Sequence, residues 1–370
     1  MDFTLCLTHD CNLRCKYCYA GPKFKRRMPW RVAKRGIDFA VEHTLKQGPP
    51  LEIQVGFFGG EPLLEWPTLQ RATEYLEKQV EKHEIVLKRT LTTNATLLKE
   101  EHAKWLGAHD FYVGLSIDGN RTMHDATRRF RNGRSSHAHS CRALQYYRGP
   151  NAKGEVIVTI DPDNVQHIGD SVRWLSNQDI CNIALNPNFC TEWSDEAQAL
   201  WRKGYEEAAE VYIENFRRPR NFRIDFIDGK IKTRVQKGYR SCDKCNFGEK
   251  EIAISAKGNI YPCERLVAGD DKGEMCIGNI FDGFDKAYRL KILKRRGNIN
   301  LECRECALRE RCMNWCGCIN YATTGAIDYV DGIVCLHEQM TIEIADEVAA
   351  ELYAEANPYF LAKFYPEKEN

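Results

Sequence analysis

An α/β architecture is predicted from this sequence: a parallel sheet covered by helices, with a small cysteine-rich segment after it. Short apolar runs alternate with amphipathic helical stretches through about the first 230 residues, the order that strand–helix–strand units produce. The apolar runs are rich in Val, Ile, Phe and Leu and are mostly bounded by Gly, Asp, Asn or Pro. After about residue 238 the texture changes to short turns, glycines and paired cysteines. Such a segment lacks the material for a large apolar core and is expected to depend on metal ligation for its fold.

Strands are expected at Phe3–Thr8, Glu52–Phe58, Ile85–Thr92, Phe111–Ile117, Glu155–Ile160 and Asn182–Asn186. A helix is expected after Pro29, where Ala33, Ile37, Val41 and Leu45 recur at i, i+4 spacing; a second sets Leu69, Ala72, Leu76 and Val80 on one face. A helix of about Glu338–Ala354 closes the chain. Periodicity does not decide whether the sheet is open or curls into a partial barrel. In either case the functional loops follow the carboxyl ends of the strands. The first cysteine group follows strand one, Gly59-Gly60-Glu61-Pro62 follows strand two, and Ser116 and Asp118 stand at the end of strand four. Three candidate motifs therefore share one rim.

Composition narrows the class. In 370 residues, 43% hydrophobic and 28% charged, one large and one small domain are expected. Lys and Arg number 53 against 52 Asp and Glu, so no whole-chain field favours nucleic acid or anionic membrane, and neither partner is expected. The start, Met1 to Cys6, shows no basic region followed by an apolar one, and no run of about 18 apolar residues occurs. The expectation is a cytoplasmic monomer. Seventeen cysteines without a secretion signal point to metal or redox chemistry rather than disulfides. Three lie between 11 and 18 and ten between 242 and 335, while Cys6, Cys141, Cys181 and Cys190 are expected as buried small hydrophobes.

The first group, Cys11-Asn12-Leu13-Arg14-Cys15-Lys16-Tyr17-Cys18, is C-x3-C-x2-C. Three thiolates in one short loop can wrap one corner of an iron–sulfur cubane. A structural zinc site normally closes with four protein ligands, and the nearest candidate, His9, would be an awkwardly crowded fourth. A cluster with one iron left open can instead bind a substrate or cofactor; a zinc knuckle is the alternative.

These residues, with Tyr17 between the last two cysteines, resemble the signature of the radical S-adenosylmethionine (SAM) superfamily. The resemblance implies a partial (β/α)6 TIM-type barrel, SAM on the open iron, and Tyr17 near its adenine. Gly59-Gly60-Glu61-Pro62 resembles the family's loop for the methionyl amino group: glycines permit close backbone approach and Glu61 offers a negative charge. Ser116 and Asp118 stand where related enzymes contact SAM, and Arg128 where sulfatase-maturating relatives place an arginine on its carboxylate, with Arg129 and Arg131 as competitors.

From Cys245 the spacing reads C-x12-G-x4-C through Gly258 to Cys263, then Cys303-x2-Cys306-x5-Cys312-x3-Cys316, then Cys335. This pattern is similar to the SPASM extension of peptide-modifying radical SAM enzymes, and Cys242 supplies an eighth thiolate. By that resemblance auxiliary cluster I takes Cys242, Cys245, Cys263 and Cys316, and auxiliary cluster II takes Cys303, Cys306, Cys312 and Cys335; Cys276 and Cys318 could replace an assigned ligand. Three [4Fe–4S] clusters result, with a radical SAM barrel over 1–235, a SPASM domain over 236–345 and a C-terminal helix and tail over 346–370. Four-thiolate ligation suits a cluster to passing electrons. Two zinc ribbons are the alternative for this half.

The activity implied is reductive cleavage of SAM to a 5′-deoxyadenosyl radical, which abstracts hydrogen from a side chain of a ribosomal peptide or protein. Auxiliary clusters assist the oxidation or cross-link, and a flavodoxin or ferredoxin supplies electrons. Motif order and length are similar to anaerobic sulfatase-maturating enzymes and ribosomal-peptide maturases. Asp228, in the Asp-Gly before the first auxiliary cysteine, is the candidate general base, with Asp225 as competitor. Departures leave the substrate open: Asn94-Ala95 stands where relatives carry Asn-Gly, and only two residues separate Cys242 from Cys245. The basic run Lys23 to Arg27 reads as a solvated loop, with contact to an acidic peptide as the other reading. No leader-recognition domain is expected ahead of Cys11. A small-metabolite enzyme and a non-catalytic zinc or electron-transfer protein are the rival classes.

Overall fold

The computed structural model describes residues 1–218, 220–295 and 300–366. Its strands are β1 (Asp2–Cys6), β2 (Glu52–Phe58), β3 (Val86–Thr93), β4 (Phe111–Ser116), β5 (Gly154–Ile160), β6 (Asn182–Pro187), β7 (Arg223–Ile224), β8 (Glu251–Ile254), β9 (Asn259–Tyr261), β10 (Gly278–Asn279) and β11 (Gly283–Phe284). The six expected strands are β1 to β6, and the fold is α/β as predicted. Two units divide the chain: one takes Met1–Leu115, Phe130–Arg134 and Cys245–Arg296, the other Ser116–Arg129, Ser135–Lys244 and Gly297–Asn370.

In the first unit the strand order is β11-β10-β9-β8-β1-β2-β3-β4. From β8 to β4 every pairing is parallel. Helix Trp30–Leu45 buries Ala33, Ile37 and Val41, and helix Trp66–Lys82 buries Leu69, Ala72, Leu76 and Val80, the stripes that the spacing predicts. Leu45, the last residue of its helix, is exposed. Strand β1 stops at Cys6, two residues short of the expected end. Thr8 leaves the sheet to bridge Arg27, and its Oγ1 donates to the Arg26 carbonyl at 3.0 Å. The cysteine-rich segment departs further from expectation. Its β8 pairs parallel to β1, and Ile252, Ala253, Ile254, Ile260 and Tyr261 are buried, so this part shares the apolar core of the sheet.

In the second unit β5, β6 and β7 run parallel. Helix Asp195–Arg217 starts where the Ser194 side chain accepts from the Ala197 N–H. The helix expected at Glu338–Ala354 runs over Gly332–Ala354, starting earlier because Asp331 caps it, its carboxylate accepting from the Ile333 N–H at 2.9 Å, and it does not close the chain: a further helix, Pro358–Phe364, follows it. Of the four isolated cysteines, Cys6 and Cys181 are buried as expected, while Cys141 is half-buried and Cys190 exposed. No helix among the described residues is long and apolar enough to cross a membrane.

Candidate functional site

The loop after β1 carries Cys11 buried, Cys15 half-buried and Cys18 exposed, and none of the 17 cysteines is in a disulfide. Leu13 anchors the loop: it is buried and bridges Phe130. Arg131 holds the other side, its Nε donating to the Cys11 carbonyl at 2.7 Å and its guanidinium pairing with Asp10. Arg131 is thus tied to the cysteine loop, a contact that spacing did not reveal. The basic run is pinned as well. Lys23 Nζ lies 3.0 Å from Cys18 Sγ, the Phe24 ring stacks on His9 at 4.6 Å, and the Arg26 carbonyl accepts from the His9 N–H. Burial pushes the Cys11 thiol up to about 11, and the Glu61 carboxylate adds to it. A thiol so placed stays protonated at neutral pH unless a metal ion holds the thiolate, so the donor set fits a thiolate-bound cluster.

Gly59 and Gly60 fit the same purpose sterically. A Cβ on Gly59, whose φ is +141°, would lie 2.4 Å from the Thr8 carbonyl oxygen, and one on Gly60 2.1 Å from that of Asp10. The β2 loop therefore presses onto the segment that enters the cysteine loop, and the Gly60 and Glu61 N–H groups donate to Thr8 and Asp10 at 2.7 and 2.8 Å. Glu61 is fully buried. Its carboxylate accepts from Thr93 Oγ1 at 2.6 Å, the Leu63 N–H at 3.0 Å and the Asn94 N–H at 2.8 Å. Asn94 continues the network, donating from Nδ2 to Asn12 Oδ1 at 2.9 Å and to Cys11 Sγ at 3.7 Å. Ends of β2 and β3 are thereby sewn to the cysteine loop. Tyr17 lies half-buried on it.

In the second unit Ser116, Asp118 and Arg128 form one connected group. Arg128 is buried; its NH1 donates to the Ser116 carbonyl at 2.8 Å and its Nε to Asp118 Oδ2 at 3.4 Å. Asp118, fully buried, also accepts from the Thr159 N–H at 2.9 Å and from Thr127 Oγ1 at 3.3 Å. Of the three candidate arginines, Arg128 makes these bonds to Ser116 and Asp118, while Arg131 bonds the cysteine loop.

Of the auxiliary candidates, Cys245 and Cys263 lie in the first unit, Cys242, Cys303, Cys306, Cys312, Cys316 and Cys335 in the second. The Cys245 thiol donates to Glu251 Oε2 at 2.7 Å, and the ligand atoms of Glu251, Cys263 and Glu264 lie within 4.8 Å of one another. Burial raises the Glu251 carboxyl to about 7. Neither glutamate stood out in the sequence. Cys316 Sγ lies 3.5 Å from that of Cys318, the spare thiol of its stretch.

Asp228 sits in helix Asp225–Gln236 rather than in a turn. It is buried, accepts from the Ile224 N–H at 3.2 Å and pairs with Lys363; burial raises its pKa and Lys363 opposes the rise. Asp225 accepts from the Leu185 N–H at 2.9 Å, and burial pushes it up to about 6.

Comparison with known proteins adds the family. A family model of the radical SAM superfamily matches residues 5–175. A cysteine-type anaerobic sulfatase-maturating enzyme of Clostridium perfringens is 23% identical over 334 residues, 83% of this chain and 85% of that protein. The solved structure of native anSMEcpe with bound AdoMet and Cp18Cys peptide matches with a TM-score of 0.78 at 19% identity, covering 97% of this chain and 99% of that one. Streptococcus suis SuiB bound to precursor peptide SuiA matches with a TM-score of 0.55 at 17% identity, over 90% of this chain and 75% of that one. With the cysteine loop on a parallel α/β sheet, residues 5–175 form a radical SAM domain, and the chain is an enzyme with the SAM and [4Fe–4S] cluster that such a domain implies.

Proposed function

We propose that this enzyme modifies a side chain of a ribosomal peptide or a protein, with three [4Fe–4S] clusters. The cysteine loop, sewn through Gly60, Glu61 and Asn94 to the ends of β2 and β3, is the observation that carries the radical SAM half of the reading. The peptide half draws support from the relatives: one named a sulfatase-maturating enzyme, one solved with Cp18Cys peptide, one with precursor peptide SuiA.

Cys11, Cys15 and Cys18 hold the first cluster. When bound, that cluster and SAM supply one-electron carbon–sulfur cleavage and hydrogen-atom abstraction. Tyr17, Gly59, Gly60, Glu61, Ser116, Asp118 and Arg128 receive SAM. The three donors on Glu61 leave its carboxylate a fixed, desolvated charge, which strengthens its attraction for a nearby ammonium. The auxiliary ligand sets are those of the resemblance, and their role is to take the second electron. Asp228 accepts the proton, and burial favours a base whose pKa is raised toward neutrality. A flavodoxin or ferredoxin as donor and a cytoplasmic monomer complete the proposal.

The test is mass spectrometry of a peptide encoded beside this gene, co-expressed with the full chain. The wild type should change the peptide's mass, while Cys15→Ala should not. Asp228→Asn should leave SAM cleavage in place and slow product formation by about 10²- to 10⁴-fold, the usual worth of a positioned acid–base group. A mass change that survives Cys15→Ala would overturn the radical mechanism. A sulfatase peptide carrying Cys or Ser, converted to formylglycine, would narrow the reading to a sulfatase maturase.

A further inference from the structure

Strands β8 and β9 pair with Ala253 opposite Tyr261 and Ile254 opposite Ile260. Continuing that register by two residues sets Glu251 opposite Cys263, so the start of one strand and the exit of the other meet at one end of the ladder. The Cys245 thiol reaches the same place, 2.7 Å from Glu251 Oε2, and Cys263 Sγ lies 3.5 Å from Glu264 Oε2. Two thiols and two carboxylates therefore converge within one unit of the fold.

Among the described residues no salt bridge joins Glu251 or Glu264 to a cation, whereas Glu42, Glu52 and Glu77 of the same unit each pair with a Lys or Arg. Thiols and carboxylates set this close together, with no cation paired to them, make a donor set that a metal ion satisfies. Cys242 and Cys316, the other thiolates of the implied set, belong to the second unit, and Cys242 is exposed.

We propose that Glu251 takes the place that the implied set gives to the exposed Cys242, as an oxygen ligand to one iron of the auxiliary centre held by Cys245 and Cys263, which gives that centre a mixed thiolate–carboxylate shell. This rests on the reading that those two cysteines bind iron. A carboxylate is a harder and more readily exchanged ligand for iron than a thiolate, so the Glu251 iron is distinguished from its neighbours. Ligation forms one iron–oxygen bond and involves no change of oxidation state.

The experiment uses the full chain in a Cys11→Ala, Cys15→Ala, Cys18→Ala background, reconstituted without oxygen using iron and sulfide alone. Iron content, Mössbauer and EPR spectra are read for the parent, Glu251→Gln, Glu264→Gln, Cys245→Ala and Cys263→Ala. The isosteric Glu251→Gln should lose about one iron per chain and gain a three-iron signal, on the premise of cubane ligation. Glu264→Gln, whose carboxylate stands farther from its thiol, at 3.5 Å against 2.7 Å, should keep the parent's iron, which guards against a general effect of lost charge. Unchanged iron and spectra in folded Glu251→Gln, with iron lost in the two cysteine variants, would overturn the role of Glu251 alone. Iron that is untouched in Cys245→Ala and Cys263→Ala would sink the cluster assignment and this inference with it.

Discussion

The Cys11–Cys18 loop and the Cys303–Cys316 segment carry thiols at similar density on very different supports. The first hangs from β1, between backbone that is already paired: Gly60 and Glu61 donate to Thr8 and Asp10, and the Arg131 N–H to the Asn12 carbonyl. Leu13 sinks into the core beneath it. The second runs through five- and three-residue helical turns, and of residues 301–316 only Asn314 is buried. Its shape comes from charge. Lys230 Nζ binds Glu338 at 2.7 Å and the Arg311 carbonyl at 3.0 Å, and Arg311 grips Asp346 through two bonds of 2.7 and 2.8 Å. A thiol-rich loop can thus be shaped by a sheet, or by ion pairs on neighbouring helices where the loop's own apolar side chains are not fully buried.

The contrast breaks most visibly at Lys230. With both side chains of the Lys230–Glu338 pair 4% exposed, Lys230→Ala strands a buried carboxylate and should cost about 3–5 kcal/mol. Denaturant unfolding reads the cost, and hydrogen exchange should locate its largest effect in 301–316 rather than in β1 to β3. Lys230→Met with Glu338→Leu should recover most of the stability, since an apolar pair needs no countercharge. An equal loss of protection in β1 to β3 would erase the distinction. On the sheet-borne side, Gly60→Ala forces a Cβ to 2.1 Å from the Asp10 oxygen. It should cost about 1–3 kcal/mol, as overpacking does, and lower iron uptake by Cys11, Cys15 and Cys18. Iron analysis in a chain lacking the auxiliary cysteines would check this, and wild-type uptake would show that the close approach is dispensable.

The same contrast explains what sequence reading could reach. Cys11, Cys15, Cys18, Gly59 to Glu61 and the Ser116–Asp118–Arg128 set stand out because each motif is local and follows a strand long enough to be recognised. Asn94 and Arg131 touch Cys11 from 83 and 120 residues away, and only the register of β1 to β3 and the Leu13–Phe130 bridge bring them there. Strands β8 and β9, four and three residues long, fall below the length at which alternation is readable, so the apolar anchorage of Cys245 and Cys263 was missed. Asp228-Gly229 has turn chemistry in isolation, but the helix carries it because Asp228 accepts the Ile224 N–H at its first turn.

A pH series sharpens the comparison within the second unit. Burial raises Asp225 from an ordinary 3.8 to about 6, against the opposing hydrogen bond from Leu185. Between those values the folded chain binds more protons than the unfolded one, so this group makes stability fall as pH rises from about 4 to about 6. Above about 6 its contribution is flat. Asp225→Asn should remove that slope from urea midpoints collected between about pH 4 and 7. A slope that is unchanged in the variant would show that Asp225 is ionised throughout the window.

The smallest effect is expected at Ala95, beside the most connected residue of the first site. Its φ of 63° is left-handed, where an L side chain costs about 1–2 kcal/mol. Ala95→Gly relieves that strain. It also frees the unfolded chain, at about 0.4–1 kcal/mol, and strips a fully buried methyl worth about 0.8 kcal/mol. The terms nearly cancel, so the unfolding free energy should move by less than about 1 kcal/mol. The Ala95 N–H to Thr93 Oγ1 bond of 3.1 Å and the Leu98 N–H to Ala95 carbonyl bond of 3.1 Å both survive the substitution, which keeps Asn94 on Cys11. A larger gain in denaturant midpoint would mean that the strain at this turn outweighs its packing. A larger loss, accompanied by weaker iron uptake at Cys11, would mean that the methyl itself sets the position of Asn94.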